Sequence, residues 1–174
     1  LGTATQEEMW KNCLYLSKPI MEAAEKANVK MALHPNDPPK PVMRGLARVF
    51  HHPDVLRRYH QEVPSPANGL CFCQGTIAET GANVLDEIRY FGSRKRIFHV
   101  HFRNVRGIIP HYTEVFIDEG DMDMLQAMKA YKDVGYTGLL VSDHTPRVEG
   151  DTPWGHIGRA YSLGYIRALV KAVN

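Results

Sequence analysis

Four short apolar runs, each carrying a side chain able to hold a metal ion, constrain this chain more than anything else in it. They are Val29-Lys-Met-Ala-Leu-His34, Gly69-Leu-Cys-Phe-Cys73, Arg96-Ile-Phe-His-Val-His-Phe-Arg-Asn-Val105 and Gly138-Leu-Leu-Val-Ser-Asp143. In the third, Phe98, Val100 and Phe102 alternate with His99, His101 and Arg103, the period-2 pattern of a strand with one oily face and one polar face. Between the runs lie stretches of helical period. Strands alternating with helices, and apolar enough to be covered on both sides, predict a parallel sheet with right-handed crossovers. Reactive residues at the C-terminal ends of such strands are what half of a TIM-type (β/α)8 barrel presents, whereas a whole barrel needs eight strands and roughly 250 residues. This chain has 174 residues and reads as a single domain, 1–174.

The helices are signalled separately. Thr5-Gln-Glu-Glu8 has the form of a capping box, and Met9, Trp10, Cys13, Leu14, Leu16 and Ile20 follow at helical spacing, predicting a helix to about Lys26. Residues 34–39, with three prolines and an Asn-Asp pair, read as a loop. Residues 42–63 read as one or two short helices, the second starting near Pro53, and Gln74-Gly-Thr76 as the close of the second strand. Helices are expected over 83–91, ended by Gly92, and from a cap at Asp121 to a stop at Gly135. A small strand pair is expected near 112–117, and a last helix over 155–173.

Composition narrows the class. With 44% hydrophobic residues the chain can bury a core, and its formal charge of +2 is scattered, giving no stripe for nucleic acid. No apolar run spans a bilayer, so a soluble, cytoplasmic protein is expected, with no membrane partner. Three cysteines at irregular spacing fit reduced thiols. The first residue is not Met, so residues before Leu1 are read as missing.

His34, Cys73, His101 and Asp143 follow one another at intervals of 39, 28 and 42 residues, about one strand-helix unit each. On neighbouring strand ends they would converge. Two imidazoles, a thiolate and a carboxylate suit a borderline divalent ion such as zinc, iron or manganese. Each has a plainer reading: Cys73 as a small core hydrophobe, His34 and Asp143 as loop caps, His101 as a buried imidazole bonded to a neighbour. His99 lies deeper on the same face, suited to supporting a ligand. His51, His52, His60 and His111 are expected at the surface, and the acidic run from Asp118 to Asp123 lacks the closing Glu of a calcium loop.

His34-Pro-Asn-Asp-Pro-Pro39, Phe72-Cys-Gln-Gly75, Phe98-His-Val-His-Phe-Arg103, Gly120-Asp-Met-Asp-Met124 and Ser142-Asp-His144 together resemble the C-terminal half of the D-mannonate dehydratase family, xylose-isomerase-like barrels. The resemblance covers nearly the whole chain. It implies the C-terminal four β/α units of the barrel, with the N-terminal half missing. It also implies a Mn2+ or Fe2+ ion on His34, Cys73, His101 and Asp143, and dehydration of D-mannonate to 2-dehydro-3-deoxy-D-gluconate in hexuronate catabolism. His144 would be a catalytic acid or base, with Arg103 and Asn36 binding the sugar acid, in a homo-oligomer. Asn36 stands where many members have an aspartate. Trp154 stands near the place of a catalytic tyrosine known in some members, leaving His156, Tyr161 or a metal-bound water as the second proton-transfer group. A metal-dependent sugar isomerase or epimerase of the same fold, and an inactive metal-binding half-barrel, are the alternatives.

Overall fold

The computed structural model describes residues 3–174. Thr5 caps helix α1 (Gln6–Lys26): its side chain accepts from the Glu8 amide, and the Glu8 carboxylate accepts from the Thr5 amide at 2.8 Å. The helix buries Trp10, Ser17, Met21 and Ala24, spaced by seven, four and three residues, so the seam is narrower than the sequence suggests and leaves Leu16 and Ile20 exposed. Strand β1 (Met31–Leu33) stops one residue before His34. The helix expected at the start of 42–63 is instead a hairpin, β2 (Val42–Met43) and β3 (Leu46–Ala47). Its two central residues, Arg44 and Gly45, both have positive φ (51° and 79°), as a type I′ turn requires. Helix α2 (Pro53–Glu62) follows, with the His52 ring accepting from the Asp54 amide as its cap.

Strand β4 (Asn68–Cys73) is buried along its whole length and passes directly into helix α3 (Gln74–Glu79), so Gln74 opens a helix rather than closing a strand. Helix α4 (Val84–Ser93) runs through Gly92, which is packed so tightly on Val134 that a Cβ there would meet it at 2.5 Å. Strand β5 (Ile97–His101) ends earlier than the alternation implied. Its continuation is a hairpin, β6 (Val105–Ile108) and β7 (His111–Glu114). Helix α5 (Met124–Asp133) is capped by Asp123; Asp121, expected as the cap, accepts from the Gly107 amide instead. A two-residue strand, β8 (Leu140–Val141), and helix α6 (His156–Val173) complete the chain.

β1, β4, β5 and β8 form one parallel sheet in that order, so every crossover moves the chain one strand along. Leu70, Phe72 and Val100 from the strands, with Phe102 just past β5, pack with Ile88 and Phe91 of α4 and with Ala127 and Tyr131 of α5. Each large side chain buried there contributes roughly 1.5–3 kcal/mol, making this face the main source of stability. A second cluster, including Trp10, Met21, Tyr59 and Val63, ties α1 to α2.

One irregularity places the chemistry. Leu70 is paired with Ile97, but Cys71 is paired with His99, so β5 carries an extra residue at Phe98. Phe98 is thereby turned out of the core, over Gly69, where a Cβ would lie 2.5 Å from its ring. Without that bulge the cysteines would face Phe98 and Val100. With it, Cys71 lies abreast of His99, and Cys73 abreast of His101.

Candidate metal centre

The four sequence-predicted ligands lie at the C-terminal end of the sheet, one at or just past the end of each strand. Each of His34, Cys73, His101 and Asp143 offers an atom, and these atoms all lie within 4.8 Å of one another. His34 Nε2 is 3.2 Å from His101 Nδ1, which is 3.2 Å from Asp143 Oδ2. Two ligands held about 2.0–2.2 Å from one ion stand roughly 3.0–3.4 Å apart, so these spacings match edges of a coordination shell. The tautomer of His34 also fits. Its Nδ1 lies 2.6 Å from the Pro35 carbonyl, which can only accept, so Nδ1 carries the hydrogen and Nε2 turns a lone pair toward the other ligands.

Electrostatics favours the ligating forms of the thiol and the carboxylate, while an arriving cation has to displace a proton from His101. Burial pushes the Cys73 thiol up, but hydrogen bonds from His101 and His34 and the charge of Arg103 outweigh it and bring the pKa down to about 5. Thr76 adds a hydroxyl 3.1 Å from the sulfur. Burial likewise opposes ionisation of Asp143, yet His101 and His144 hold its pKa far below the usual carboxylate range. Burial works against a charged His101, while Asp143 and both nearby thiols raise its pKa to about 11. A thiolate and a carboxylate facing two imidazoles is a donor set suited to a divalent cation.

Asp143 and His144 would point to opposite faces if the strand ran through them. It does not: β8 ends at Val141, and Asp143 has φ 61°, a left-handed backbone that swings both side chains to the same side. His144 Nε2 is 3.1 Å from Asp143 Oδ2, and its Nδ1 is 2.6 Å from Glu114 Oε2 on β7. These two carboxylates push the His144 pKa up to about 10.

Arg103 is 4% exposed and lies behind the ligands. Its guanidinium donates to Asp37 Oδ2 at 2.6 Å, Glu79 Oε1 at 3.0 Å and Thr76 Oγ1 at 3.1 Å, and Nε is 3.5 Å from Asp143 Oδ2. Glu79 is fully buried; burial pushes its carboxyl up to about 7 despite Arg103. Asn36 uses its side-chain oxygen to accept from the Phe50 amide at 2.9 Å. Tyr161 donates to Asp118 at 2.6 Å, His156 Nδ1 sits 2.9 Å from the Thr152 hydroxyl, and Trp154 is largely exposed. A cavity of about 490 Å3 opens beside His144, walled by Arg147, Trp154 and Arg159.

Sequence reasoning did not find Asp37, Glu79 or Glu114. Asp37 sits inside the 34–39 loop, but Glu79 and Glu114 lie on elements whose placement sequence spacing does not reveal. His60, expected at the surface, is buried, its Nδ1 donating to the Leu56 carbonyl at 2.8 Å.

The family model for D-mannonate dehydratase (UxuA) matches residues 2–174. Mannonate dehydratase 2 of Halalkalibacterium halodurans is 36% identical over 177 residues, covering 98% of this chain and 51% of that protein. The Thermotoga maritima mannonate dehydratase is 32% identical over 176 residues, covering 97% and 49%. The crystal structure of mannonate dehydratase from Streptococcus suis serotype 2 superposes with a TM-score of 0.91 at 33% identity, over 97% of this chain and 50% of that one. A xylose isomerase domain protein from Planctomyces limnophilus, at 14% identity and TM-score 0.73, shares the fold. The chain spans about half the length of the curated relatives it matches.

Proposed function

This chain belongs to the D-mannonate dehydratase family, and from that premise we propose that it supplies the metal-binding half of a barrel that dehydrates D-mannonate to 2-dehydro-3-deoxy-D-gluconate. The convergence of His34, Cys73, His101 and Asp143, one at or just past the end of each strand of the sheet, carries this reading. Residues 1–174 act in it as one domain, working in the cytoplasm as part of a homo-oligomer.

His34, Cys73, His101 and Asp143 would hold a Mn2+ or Fe2+ ion, which would supply the positive charge needed to stabilise the second negative charge formed when the C2 proton is lost. The mixed S/N/O donor set admits either metal; Mg2+ and Ca2+ prefer oxygen alone. The reaction breaks C2–H and C3–O, makes the C2–C3 double bond of an enol, and releases water before the enol becomes the ketone. His144 moves one of the two protons. Glu114 holds the hydrogen on Nδ1, which leaves Nε2, on the side of Asp143, as the working nitrogen. Asn36, its carbonyl oxygen taken by Phe50, has its amide hydrogens left for the acid's hydroxyls. Arg103 reaches the acid's carboxylate only by releasing Asp37 or Glu79. We place it as the counter-charge that holds those carboxylates and Asp143 in register.

The test is to incubate the chain with D-mannonate and Mn2+, with and without a chelator, and assay for the keto-deoxy acid. Chelator-sensitive product supports dehydration, and a rearranged sugar without keto-deoxy acid supports an isomerase. Mn2+ binding without any product supports a half-barrel that needs further chain to act. That last reading has an observation behind it: Met31 on one outer strand and Leu139 beside the other are exposed where a closed barrel would cover them.

A further inference from the structure

Below the four-ligand set, on the same face of the sheet, the bulge in β5 creates a second rung: Cys71 abreast of His99, one step down from Cys73 abreast of His101. Cys71, His99 and His101 each offer a ligand atom, and these atoms lie within 4.8 Å of one another. The His99 and His101 rings stand edge to face, 5.3 Å between centroids. Cys71 is 7% exposed, and the proposed dehydration uses neither it nor His99.

We infer that Cys71, His99 and His101 form a second cation site, selective for a thiophilic ion of the zinc and cadmium class. The chemistry separates it from the set above. The upper site includes the Asp143 carboxylate, which accommodates harder ions such as Mn2+; the lower one offers only sulfur and imidazole nitrogen. Three protein ligands leave one position of a tetrahedral ion for water. The two sites share His101, whose Nδ1 already faces His34 and Asp143. An ion held below therefore draws on a ligand of the site above, and a thiophilic metal should weaken Mn2+ binding through that ring.

Cadmium alone is the probe, read by the thiolate-to-cadmium charge-transfer band in the ultraviolet. A chain with Cys13→Ser and Cys73→Ser retains one thiol, Cys71. It should develop the band and saturate at one Cd2+ per chain, and adding His99→Asn should weaken Cd2+ binding by about tenfold or more. No band in that variant, with circular dichroism showing it folded, overturns the inference, as does affinity indifferent to His99→Asn. Should the double variant fail to fold, Cys71→Ser alone decides the matter: the band of the otherwise native chain should fall by about half, and an undiminished band refutes the site. Mn2+ binding followed by electron paramagnetic resonance in Cys71→Ser keeps the two sites apart. Retained Mn2+ affinity shows the upper set intact, whereas Mn2+ lost from both the native chain and the variant counts against the four-ligand set instead.

Discussion

A single backbone angle decides whether the last two functional side chains can work together. Asp143 adopts φ 61°, a conformation that costs most L-residues roughly 1–2 kcal/mol and that Asp and Asn tolerate best. Asp143→Asn therefore keeps the turn while removing the carboxylate. Mn2+ affinity, measured by titration, should fall by more than the ~10–100-fold typical when a partner one step removed from a metal is lost. Unchanged affinity would exclude Asp143 as a ligand. Glu114 contacts His144, the proposed proton-transfer group, instead. Glu114→Ala should leave Mn2+ affinity as it was and cut kcat for D-mannonate by about tenfold or more, with KM little altered. Equal losses in metal binding would mean that it props the ligand set rather than His144. The candidate ligands were legible in the sequence, because four residues of the right type recur one strand-helix unit apart. It could not show the left-handed turn at Asp143, nor the extra residue at Phe98, since strict alternation assumes a regular strand.

At the scale of elements, helix α3 reaches the site through its smallest residue. A Cβ on Gly75 would come 2.5 Å from Arg103 Nη1 and 2.6 Å from its Cζ. That guanidinium is buried and held by Asp37, Glu79 and Thr76, so it has little freedom to retreat. Gly75→Ala should lower unfolding free energy by about 1–3 kcal/mol in denaturant titration, the usual range for overpacking; a neutral result would mean the network yields. Helix α2 carries a pH dependence. His60 is buried, donates Nδ1–H to Leu56, and has no partner for Nε2 among the described residues, so burial, aided by Arg96, lowers its pKa below 6.5. The unfolded chain then takes up the proton first. The stability His60 contributes is fully present above about pH 6.5 and is lost as pH falls toward the lower folded value, by at most about 1.4 kcal/mol per pH unit. His60→Gln should flatten that part of the stability curve between pH 7 and 5; an identical slope in both chains would sink the argument. Elements announced by local chemistry, such as the Thr5 capping box, were readable. The turn at Arg44-Gly45 was not, because positive φ at an arginine has no signature in composition, and α3 was hidden because a strand passes into it with no intervening loop.

For the molecule as a whole, alternation of strands and helices announced the parallel sheet, and the chain's length announced that only half a barrel is here. The weakness of the two outer strands was not legible: β8 pairs through two residues and β1 through three, against six in β4. Those outer strands lead directly into His34 and Asp143, so an ion held with Cys73 and His101 fastens both margins of the sheet to its centre. Ion binding should therefore appear as stability of the entire fold, not of one loop. At a hundredfold excess over its Kd, Mn2+ should add about 2.7 kcal/mol. For a domain of this size each kcal/mol moves Tm by roughly 2–4 °C, giving a rise of about 5–10 °C in scanning calorimetry that a chelator reverses. The same comparison on Asp143→Asn should show almost no rise. If native and variant chains gain equally from Mn2+, the cation is acting elsewhere on the surface, and the four strand ends do not meet around one ion.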